Sequence, residues 1–513
     1  MEKINQKINQ KINQLKENHE NIIIYLSILA LCIIICSPLL QMHIASDTYN
    51  FMELGYFEYP SQFFLRDARV ISSLASYIGG ILNLPYNVFI IGMEILAVII
   101  VSISIYYLYK TVVEKLKIDS TSNVEKNKKL LLKVLIIMAS FILVFNCMGL
   151  EYLLYVECSV MCLSVMLSIF AARIFTKKTK FCYLKSFLLV VLATFCYQGA
   201  VNVFLPLTIL FLFIDKDKKS VKELVKDVVI SCLIIGIAYI LNVLAMGILN
   251  TMLGEEQGRV AGGILNNLKN FAVIINYVIN VTLITNYNLW PTAISLIVIA
   301  ISLIIIAFQK KSTAKILQYL FIILVAFGIS VGPVFFMKTP SMEARMAMSI
   351  GAIPGLSMLF LLSLNYEGKI LKTIITLGIT VFFIYNCINT IQIFGAHIAT
   401  NKVDKEIGLM IKYELEKYEN ETGNTIENIA VCKDKYPRSF PNGWEKKFFS
   451  FTQRAFDNFF CIREALNYFC NRKFNIVSMD QNIYEENFKG KDWITFSDEQ
   501  LVFEGNTMYM CTY

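Results

Sequence analysis

The chain has 513 residues, of which 56% are hydrophobic and only 17% are charged, whereas soluble globular domains average about 45–50% apolar and 25% charged residues. The apolar excess lies in blocks of about 20 residues, the length that crosses the hydrocarbon core of a bilayer. The formal net charge of +8 does not indicate nucleic-acid binding, because most of the surplus lies in short segments between these blocks. Composition therefore excludes a soluble globular protein and predicts an α-helical polytopic membrane protein.

The chain opens with a repeat of the tetrapeptide KINQ, which places lysines on one face of a helix. We predict that residues 1–21 form a basic cytoplasmic segment, and that residues 22–395 form a bundle of about eleven transmembrane helices. The predicted spans are 22–40, 87–109, 131–149, 152–174, 184–197, 200–214, 227–249, 289–308, 316–336, 347–364 and 373–393.

Two of these spans, 184–197 and 200–214, are short and adjacent, and lysines flank the pair on both sides. Because both flanks then lie on the cytoplasmic side, we predict a hairpin rather than one long helix. Its tip is formed by Tyr197, Gln198 and Gly199. Polar side chains are costly against lipid, so Tyr197 and Gln198 are expected either to line a cavity or to make structural hydrogen bonds.

The distribution of positive charge orients the bundle. The predicted inner segments contain 26 lysines and arginines, whereas the predicted outer loops, which include 41–86, 250–288 and 337–346, contain six. By the positive-inside rule the N-terminus is cytoplasmic, and an odd number of spans places residues 396–513 on the outer side of the membrane. The stretch 271–285 is moderately apolar. If it spans the membrane rather than lying on it, the number of spans is even and the argument that places residues 396–513 outside fails.

We predict that residues 396–513 form a small extracytoplasmic α/β domain. The local patterns indicate two helices, at 402–420 and 455–471, short strands at 428–432 and 475–479, and two closing strands within 493–513. The domain also contains four cysteines whose pairing does not follow from the sequence, namely Cys432, Cys461, Cys470 and Cys511.

Arginine is distributed differently from lysine. Only one of the nine arginines, Arg173, lies in a predicted inner segment, and the other eight lie in outer loops or in the outer domain. A guanidinium group is a planar donor suited to phosphate and carboxylate, so this distribution indicates anion binding on the outer side. A genome that favours lysine codons is the alternative explanation.

The outer loop 41–86 is the richest in candidate catalytic groups. Asp47 directly follows the first span and can act as a general base toward a hydroxyl, or hold a divalent cation such as Mg²⁺ or Mn²⁺. Arg66 and Arg69 can bind a phosphate group. These groups suit the transfer of a sugar from a lipid phosphate, and the alternative is a solvated loop with an ion pair between Asp67 and Arg69.

Further candidates lie at the outer ends of later spans. Arg345, which follows Glu343, is expected at the depth of a lipid phosphate, where it binds a ligand or anchors the helix. Glu157 lies slightly inside an apolar span, where acidic residues are functional candidates by default, and Glu94 is similar but has no obvious partner.

With three histidines in the chain, histidine-based catalysis is not expected. The D-x-D triplet typical of enzymes that use nucleotide sugars occurs only in a charged inner loop.

Three short motifs support a resemblance to a known family. They are SDTY at 46–49 followed by RDAR at 66–69, CYQGA at 196–200, and EAR at 343–345 after Pro340. Together with the order of the spans and the terminal α/β domain, they resemble the bacterial GT-C-class membrane glucosyltransferases of the type II O-antigen kind. The chain departs from that family where Thr48 replaces a second acid and where Val70 replaces an aromatic residue.

The resemblance implies an inverting glycosyltransferase with a GT-C-like fold, a polyprenyl-phosphate sugar as donor, and a surface glycan or teichoic acid as acceptor. Asp47 and Arg69 would be catalytic, and Arg66, Arg69 and Arg345 would hold the donor phosphate. The residues expected to line the substrate cavity are Tyr49, Glu53, Asp67, Glu157, Tyr197, Gln198 and Glu343. A donor-lipid synthase and a flippase are the expected partner proteins, and a divalent cation is the only cofactor considered.

Two other classes stay open. A transporter or flippase of lipid-linked glycans predicts internal repeats with broken helices at corresponding places in two halves, and the sequence contains no such symmetry. A glycan polymerase or ligase predicts arginines concentrated in one late outer loop, whereas the arginines of this chain are dispersed.

Overall fold

The fold is described from a computed structural model. It describes residues 2–119, 126–215, 220–254, 276, 289–310, 314–332, 343–364, 368–433, 451–457, 459–491, 493 and 496–512. The predicted interfacial stretch 271–285, with the exception of residue 276, and residues 337–342 of the last outer loop lie outside these ranges.

Helices dominate the described residues. They are α1 (Glu2–Cys36), α2 (Ser46–Tyr59), α3 (Val70–Ile81), α4 (Tyr86–Leu116), α5 (Lys126–Val144), α6 (Cys158–Lys177), α7 (Cys182–Cys196), α8 (Gln198–Val201), α9 (Phe204–Ile214), α10 (Val221–Leu253), α11 (Leu289–Lys310), α12 (Ala314–Val331), α13 (Met348–Gly351), α14 (Ile353–Ser363), α15 (Lys369–Thr422), α16 (Ile462–Cys470) and α17 (Gln481–Ile483). A break between α7 and α8 falls at Tyr197, as the predicted hairpin tip requires.

Seven helical segments among the described residues are long and apolar enough to cross a bilayer, so the chain is a helical membrane protein. They are His19–Leu39, Tyr86–Leu116, Cys158–Lys177, Val221–Leu253, Ala314–Val331, Ala344–Ser363 and Lys369–Thr422. Helices α5, α7, α9 and α11 overlap the other four predicted spans but are not among the seven. The count of eleven therefore stays a prediction.

Helix α10 shows how the bundle meets its surroundings. Its exposed face presents large apolar side chains, among them Leu233, Ile240 and Leu244, while Ser231 and Asn242 are buried against neighbouring helices. This is the reverse of a soluble amphipathic helix. In a bilayer it is the favourable arrangement, because hydrocarbon accepts the apolar face and the bundle satisfies the polar one.

Helix α3 lies within the predicted outer loop 41–86. Its buried face consists of small residues, including Ser72, Ser76 and Gly79, whereas Ile78 and Ile81 are exposed. Glycine is required at position 79, because a Cβ atom there would lie 2.8 Å from the ring of Phe89. This close packing holds the C-terminal half of α3 against α4.

The sequence predicts a last span, 373–393, that ends before a separate helix at 402–420, but in the structure the single helix α15 covers both. It runs without interruption from Lys369 to Thr422 over 54 residues, a length of about 80 Å at 1.5 Å per residue. Its first half packs against α5 and α11, and its second half packs against α16. One rigid element therefore joins the bundle to the C-terminal region.

The C-terminal region contains a four-stranded sheet beside the second half of α15. Its strands are β1 (Asn428–Lys433), β2 (Asn475–Ile476), β3 (Leu501–Glu504) and β4 (Thr507–Thr512), in the order β2-β1-β4-β3. Strand β1 pairs in parallel with β2 and β4, and β3 and β4 form an antiparallel hairpin. The predicted mixed α/β content is present, and all four cysteines of the region are free thiols.

Close packing of α14 on α5 generates a prediction about Gly355. A Cβ atom at this position would lie 2.6 Å from the backbone nitrogen of Leu143, and backbone cannot move aside as a side chain can. We expect Gly355→Ala to destabilise the protein by about 1–3 kcal/mol, measured as a lower thermal unfolding midpoint in detergent.

The matched control is Gly236→Ala in the middle of α10, where no described atom outside the adjacent backbone of the helix lies within 4 Å of the added Cβ. Because alanine favours helix by about 1 kcal/mol over glycine, the control should leave the midpoint unchanged or raise it. Equal midpoints for the two variants would contradict the close α5–α14 contact.

Candidate functional site

Four separate segments of the chain meet around two arginines. Arg69 is the residue that precedes α3, and Arg345 lies in the short 3₁₀ turn Ala344–Ala347. The turn Gly149–Leu153 before α6 and the break at Tyr197 complete the group. None of these segments is a regular helix at the point of contact, so their backbone groups are available to hold side chains in place.

Arg69 is held by two carboxylates and an aromatic ring. Its Nη2 lies 2.9 Å from Asp67 Oδ2 and its Nη1 lies 3.1 Å from Glu157 Oε1. The guanidinium carbon lies 5.0 Å from the centre of the Tyr197 ring, within the range of a cation–π contact. The Nε atom is buried and has no hydrogen-bond partner in the described part of the chain.

Arg345 is held in a similar way. Its Nη1 donates to the hydroxyl oxygen of Tyr155 at 2.6 Å and lies 3.6 Å from Glu151 Oε2. Its guanidinium carbon lies 4.8 Å from the centre of the Tyr155 ring. The backbone N–H of Arg345 donates to the same Glu151 oxygen at 3.0 Å, and its carbonyl accepts from the Tyr152 hydroxyl at 2.7 Å. Glu151 and Tyr152 thereby fix the backbone as well as the side chain.

The hairpin tip serves mainly as a structural connector. The Gln198 amide donates to the backbone carbonyl of Asp67 and, at 3.0 Å, to Asn242 Oδ1. The hydroxyl of Tyr239 on α10 donates to the Gln198 carbonyl at 3.0 Å. Of the two expectations for the tip, structural hydrogen bonding describes Gln198, whereas Tyr197 lies against the arginine.

Both arginines are partly exposed, whereas the glutamates that hold them are buried. The two arginine side chains retain 16% and 20% of their exposed area, whereas Glu157 and Glu151 retain 6% and 2%. The charges of Arg69 and Arg345 act on each other. Burial raises the pKa of Glu157, and the nearby charge of Arg69 only partly offsets this effect. A ligand can therefore reach the guanidinium groups more readily than it can reach these glutamates.

Asp47 lies in the first turn of α2, where the helix dipole favours a negative charge. It is close enough to Glu157 and to Tyr59 for its charge to act on both. Burial first, and then the charge of Asp47, raise the pKa of the Tyr59 hydroxyl far above its usual range. Asp47 and the arginines thus belong to one electrostatic environment.

Two predicted cavity residues lie elsewhere. Tyr49 is 4% exposed and packs with Ile411 and Leu466 in the core of the C-terminal region. The carboxylate of Glu53 accepts a hydrogen bond of 2.9 Å from the amide of Asn467 on α16. Both residues therefore dock α2 onto the C-terminal region. Their spacing from Asp47 along the chain suggested a common site, but consecutive turns of the kinked α2 face different neighbours.

The remaining predicted residues lie at the edge of the group. The backbone carbonyl of Arg66 accepts from the Asn250 amide of α10 at 3.3 Å, which holds the loop before α3. Glu343 precedes the 3₁₀ turn and its charge acts on Arg345. Among the described residues, no group of three or more His, Cys, Asp or Glu side chains is arranged to hold a metal ion.

The structure also joins three residues that the sequence analysis treated separately. His43 Nε2 lies 3.2 Å from Glu94 Oε1, and His43 Nδ1 lies 3.1 Å from His397 Nε2. His397 Nδ1 lies 2.9 Å from the carbonyl oxygen of Phe451. All three side chains are at most 3% exposed. Glu94 thus has a partner, and two of the three histidines contact each other.

The polarity of these hydrogen bonds assigns the protons. A carbonyl only accepts, so His397 donates through Nδ1, and in its neutral form it accepts through Nε2. His43 then donates through Nδ1 and accepts through Nε2, which requires a protonated Glu94. The two alternatives with complete hydrogen bonding leave Glu94 ionised and move this one proton onto either His43 or His397. Nothing in the local sequence signals the contact, because the three residues are 51 and 303 positions apart along the chain.

This contact generates a pH prediction. Burial lowers the pKa of His43 to about 4, whereas an exposed imidazole titrates near 6.5. As the pH falls from about 6.5 toward about 4, the unfolded chain binds a proton that the folded His43 excludes, so the folded state loses stability. Glu94 and His397 are the titratable groups that face it.

We expect His43→Gln to lower the thermal unfolding midpoint at neutral pH, because two buried hydrogen bonds change. Its midpoint should then fall less than that of the wild type between about pH 6.5 and about pH 5. The exposed His19 provides the control variant His19→Gln, which should keep the wild-type pH profile. A His43→Gln profile parallel to the wild type would contradict the assignment.

Comparison with known proteins yields no relative. No family model matches the chain, and no curated protein or solved structure matches it either. Any assignment of activity therefore depends on the chemistry of the residues described above and on the short sequence motifs.

Proposed function

We propose that the chain is a membrane glycosyltransferase of the GT-C type. It would transfer a sugar, glucose by the family resemblance, from a polyprenyl-phosphate donor to a surface glycan or teichoic acid. The reaction would take place on the outer face of a bacterial plasma membrane. A donor-lipid synthase and a flippase would then supply the donor to that face.

The observation that best supports this proposal is the pair of arginines. Arg69 and Arg345 come from distant parts of the chain, yet their charges act on each other, and each partly exposed side chain lies on a tyrosine ring. Two guanidinium groups this near to each other offer several N–H donors to one anionic ligand. The planar, multiple N–H donors of arginine suit a phosphate group in particular.

In the proposed reaction Asp47 accepts the proton of the acceptor hydroxyl. The acceptor oxygen forms a bond to the anomeric carbon of the donor sugar as the bond from that carbon to the phosphate oxygen breaks. The leaving polyprenyl phosphate gains one negative charge, and the guanidinium groups of Arg69 and Arg345 stabilise it. Donors directed at a charge that develops during reaction are worth a factor of about 10² to 10³ each.

The test is a transfer assay with purified protein, a short-chain isoprenyl phosphoglucose and extracted envelope glycan. We expect Asp47→Asn to lower the transfer rate by about 10² or more, the range of a lost general base. Arg69→Ala should lower it by about 10² to 10³. Asp47→Asn should retain the wild-type unfolding midpoint within a few degrees, whereas Arg69→Ala should lower it, because the buried Glu157 loses its partner.

The matched control is Arg173→Ala, which removes an arginine paired with Glu114 at 2.7 Å, near the opposite end of α6 from Glu157. It should transfer at the wild-type rate. Full activity of Asp47→Asn would exclude Asp47 as the base. Absence of transfer by the wild type, together with loss of outer-face donor lipid in cells that lack the chain, would identify a flippase instead.

The proposed orientation has its own test in intact cells. Ser478→Cys adds a thiol at an exposed position of the C-terminal region, and Thr179→Cys adds one at an exposed turn after α6. With a membrane-impermeant maleimide, Ser478→Cys should label above the wild-type background before lysis and Thr179→Cys only after it. The opposite pattern would reverse the topology and place the arginine pair on the inner face.

A further inference from the structure

Carboxylates already contact both arginines in the structure. Arg69 contacts Asp67 at 2.9 Å and Glu157 at 3.1 Å, and Arg345 lies 3.6 Å from Glu151. With all groups ionised, two positive charges face three negative ones. The cluster therefore carries a net charge of −1 before any phosphate arrives, and Asp47 adds a further negative charge nearby.

This balance opposes the simple binding of an anion. A phosphate oxygen that takes an N–H of Arg69 must displace a carboxylate oxygen from it. A carboxylate that loses its partner inside a protein costs several kcal/mol if it stays ionised. The displaced group must therefore either reach water or bind a proton.

The three carboxylates differ in how they can respond. Asp67 retains 19% of its exposed area, so it can turn toward water. Glu151 keeps the backbone N–H of Arg345 as a second donor, which a ligand on the side chain does not displace. Glu157 retains only 6%, and it sits at the buried start of α6. For Glu157, binding a proton therefore costs less free energy than reaching water.

We infer that Glu157 is an exchangeable partner of Arg69: the donor phosphate takes over the guanidinium, and Glu157 takes up one proton as it does so. This inference rests on the proposed function and specifies how the donor is recognised. Donor binding then strengthens as the pH falls, and Glu157 tunes the affinity for the phosphate without touching the reacting atoms.

The charged and titratable groups that face Glu157 come from every neighbouring element. They are Arg69 before α3, Asp47 and Tyr59 of α2, Arg345 of the 3₁₀ turn, and Cys158 of α6. Burial raises the pKa of Glu157, which makes proton uptake near neutral pH cheaper. When a phosphate group shares the guanidinium of Arg69, the pKa of Glu157 rises further. Arg69 is the positive charge that lowers this pKa most.

The experiment is calorimetric binding of a short-chain isoprenyl phosphoglucose to the full-length protein in detergent. This probe is a phosphodiester, so it does not itself titrate near neutral pH. Titration at one pH in two buffers of different ionisation enthalpy gives the number of protons taken up. We expect about one proton at neutral pH, with a dissociation constant that rises up to tenfold per pH unit between about pH 6 and about pH 8.

Glu157→Gln keeps the shape of the side chain and removes its charge. It should bind the probe about tenfold or more tightly than the wild type at the upper pH limit, with no proton uptake. The control is Glu114→Gln, which neutralises one partner of the Arg173 ion pair and should behave as the wild type. If Glu157→Gln fails to fold, absence of proton uptake by the wild type still overturns the exchange.

The outcomes separate the two proposals. Binding without proton uptake, or a Glu157→Gln variant that binds more weakly with an unchanged pH profile, overturns the exchange and leaves the proposed function standing. Absence of binding by the wild type, with Arg69→Ala no different from it, overturns both. Tight binding that depends on Arg69 and takes up a proton only when Glu157 is present supports both.

Discussion

Two partly buried guanidinium groups constrain one end of this bundle more than any other feature. A charge away from water must be paired, and the partners of Arg69 and Arg345 come from the loop before α3, the turn before α6 and the hairpin tip. Each partner is itself held by backbone hydrogen bonds. The need to pair two cations thus determines how four irregular segments pack together, and it creates a charged group at the edge of an apolar bundle.

The second organising element is α15. Because one helix extends from the bundle into the C-terminal region, the two parts have a fixed separation and orientation along its length. The contact of His43, Glu94 and His397 ties this helix to the loop that leads into α2, and α2 in turn supplies Tyr49 to the core of the C-terminal region. Asp47 is therefore positioned by contacts on both of its sides, four residues after His43 and two before Tyr49.

Sequence reasoning recovered the ion pair of Asp67 and Arg69, which it raised as one of two alternatives, because the residues are close along the chain. It also recovered Glu157 and Arg345 as buried or interfacial charges, because a charge in an apolar block is conspicuous. It missed the histidine contact and assigned Tyr49 to a cavity. Those errors share a cause: contacts between residues hundreds of positions apart leave no local pattern in a single sequence.

By itself the sequence determined that the chain is a helical membrane protein, since blocks of apolar residues have a length and a composition that only a bilayer accommodates. It also indicated the α/β content of the C-terminal region, where short alternating patterns mark strands. Only the tertiary structure decided which polar groups meet. Helix packing determines three pairs: Arg69 with Glu157, Arg345 with Glu151, and Glu94 with His43. Burying a charge or a polar group costs free energy, and only a partner that packing brings within hydrogen-bond distance offsets this cost.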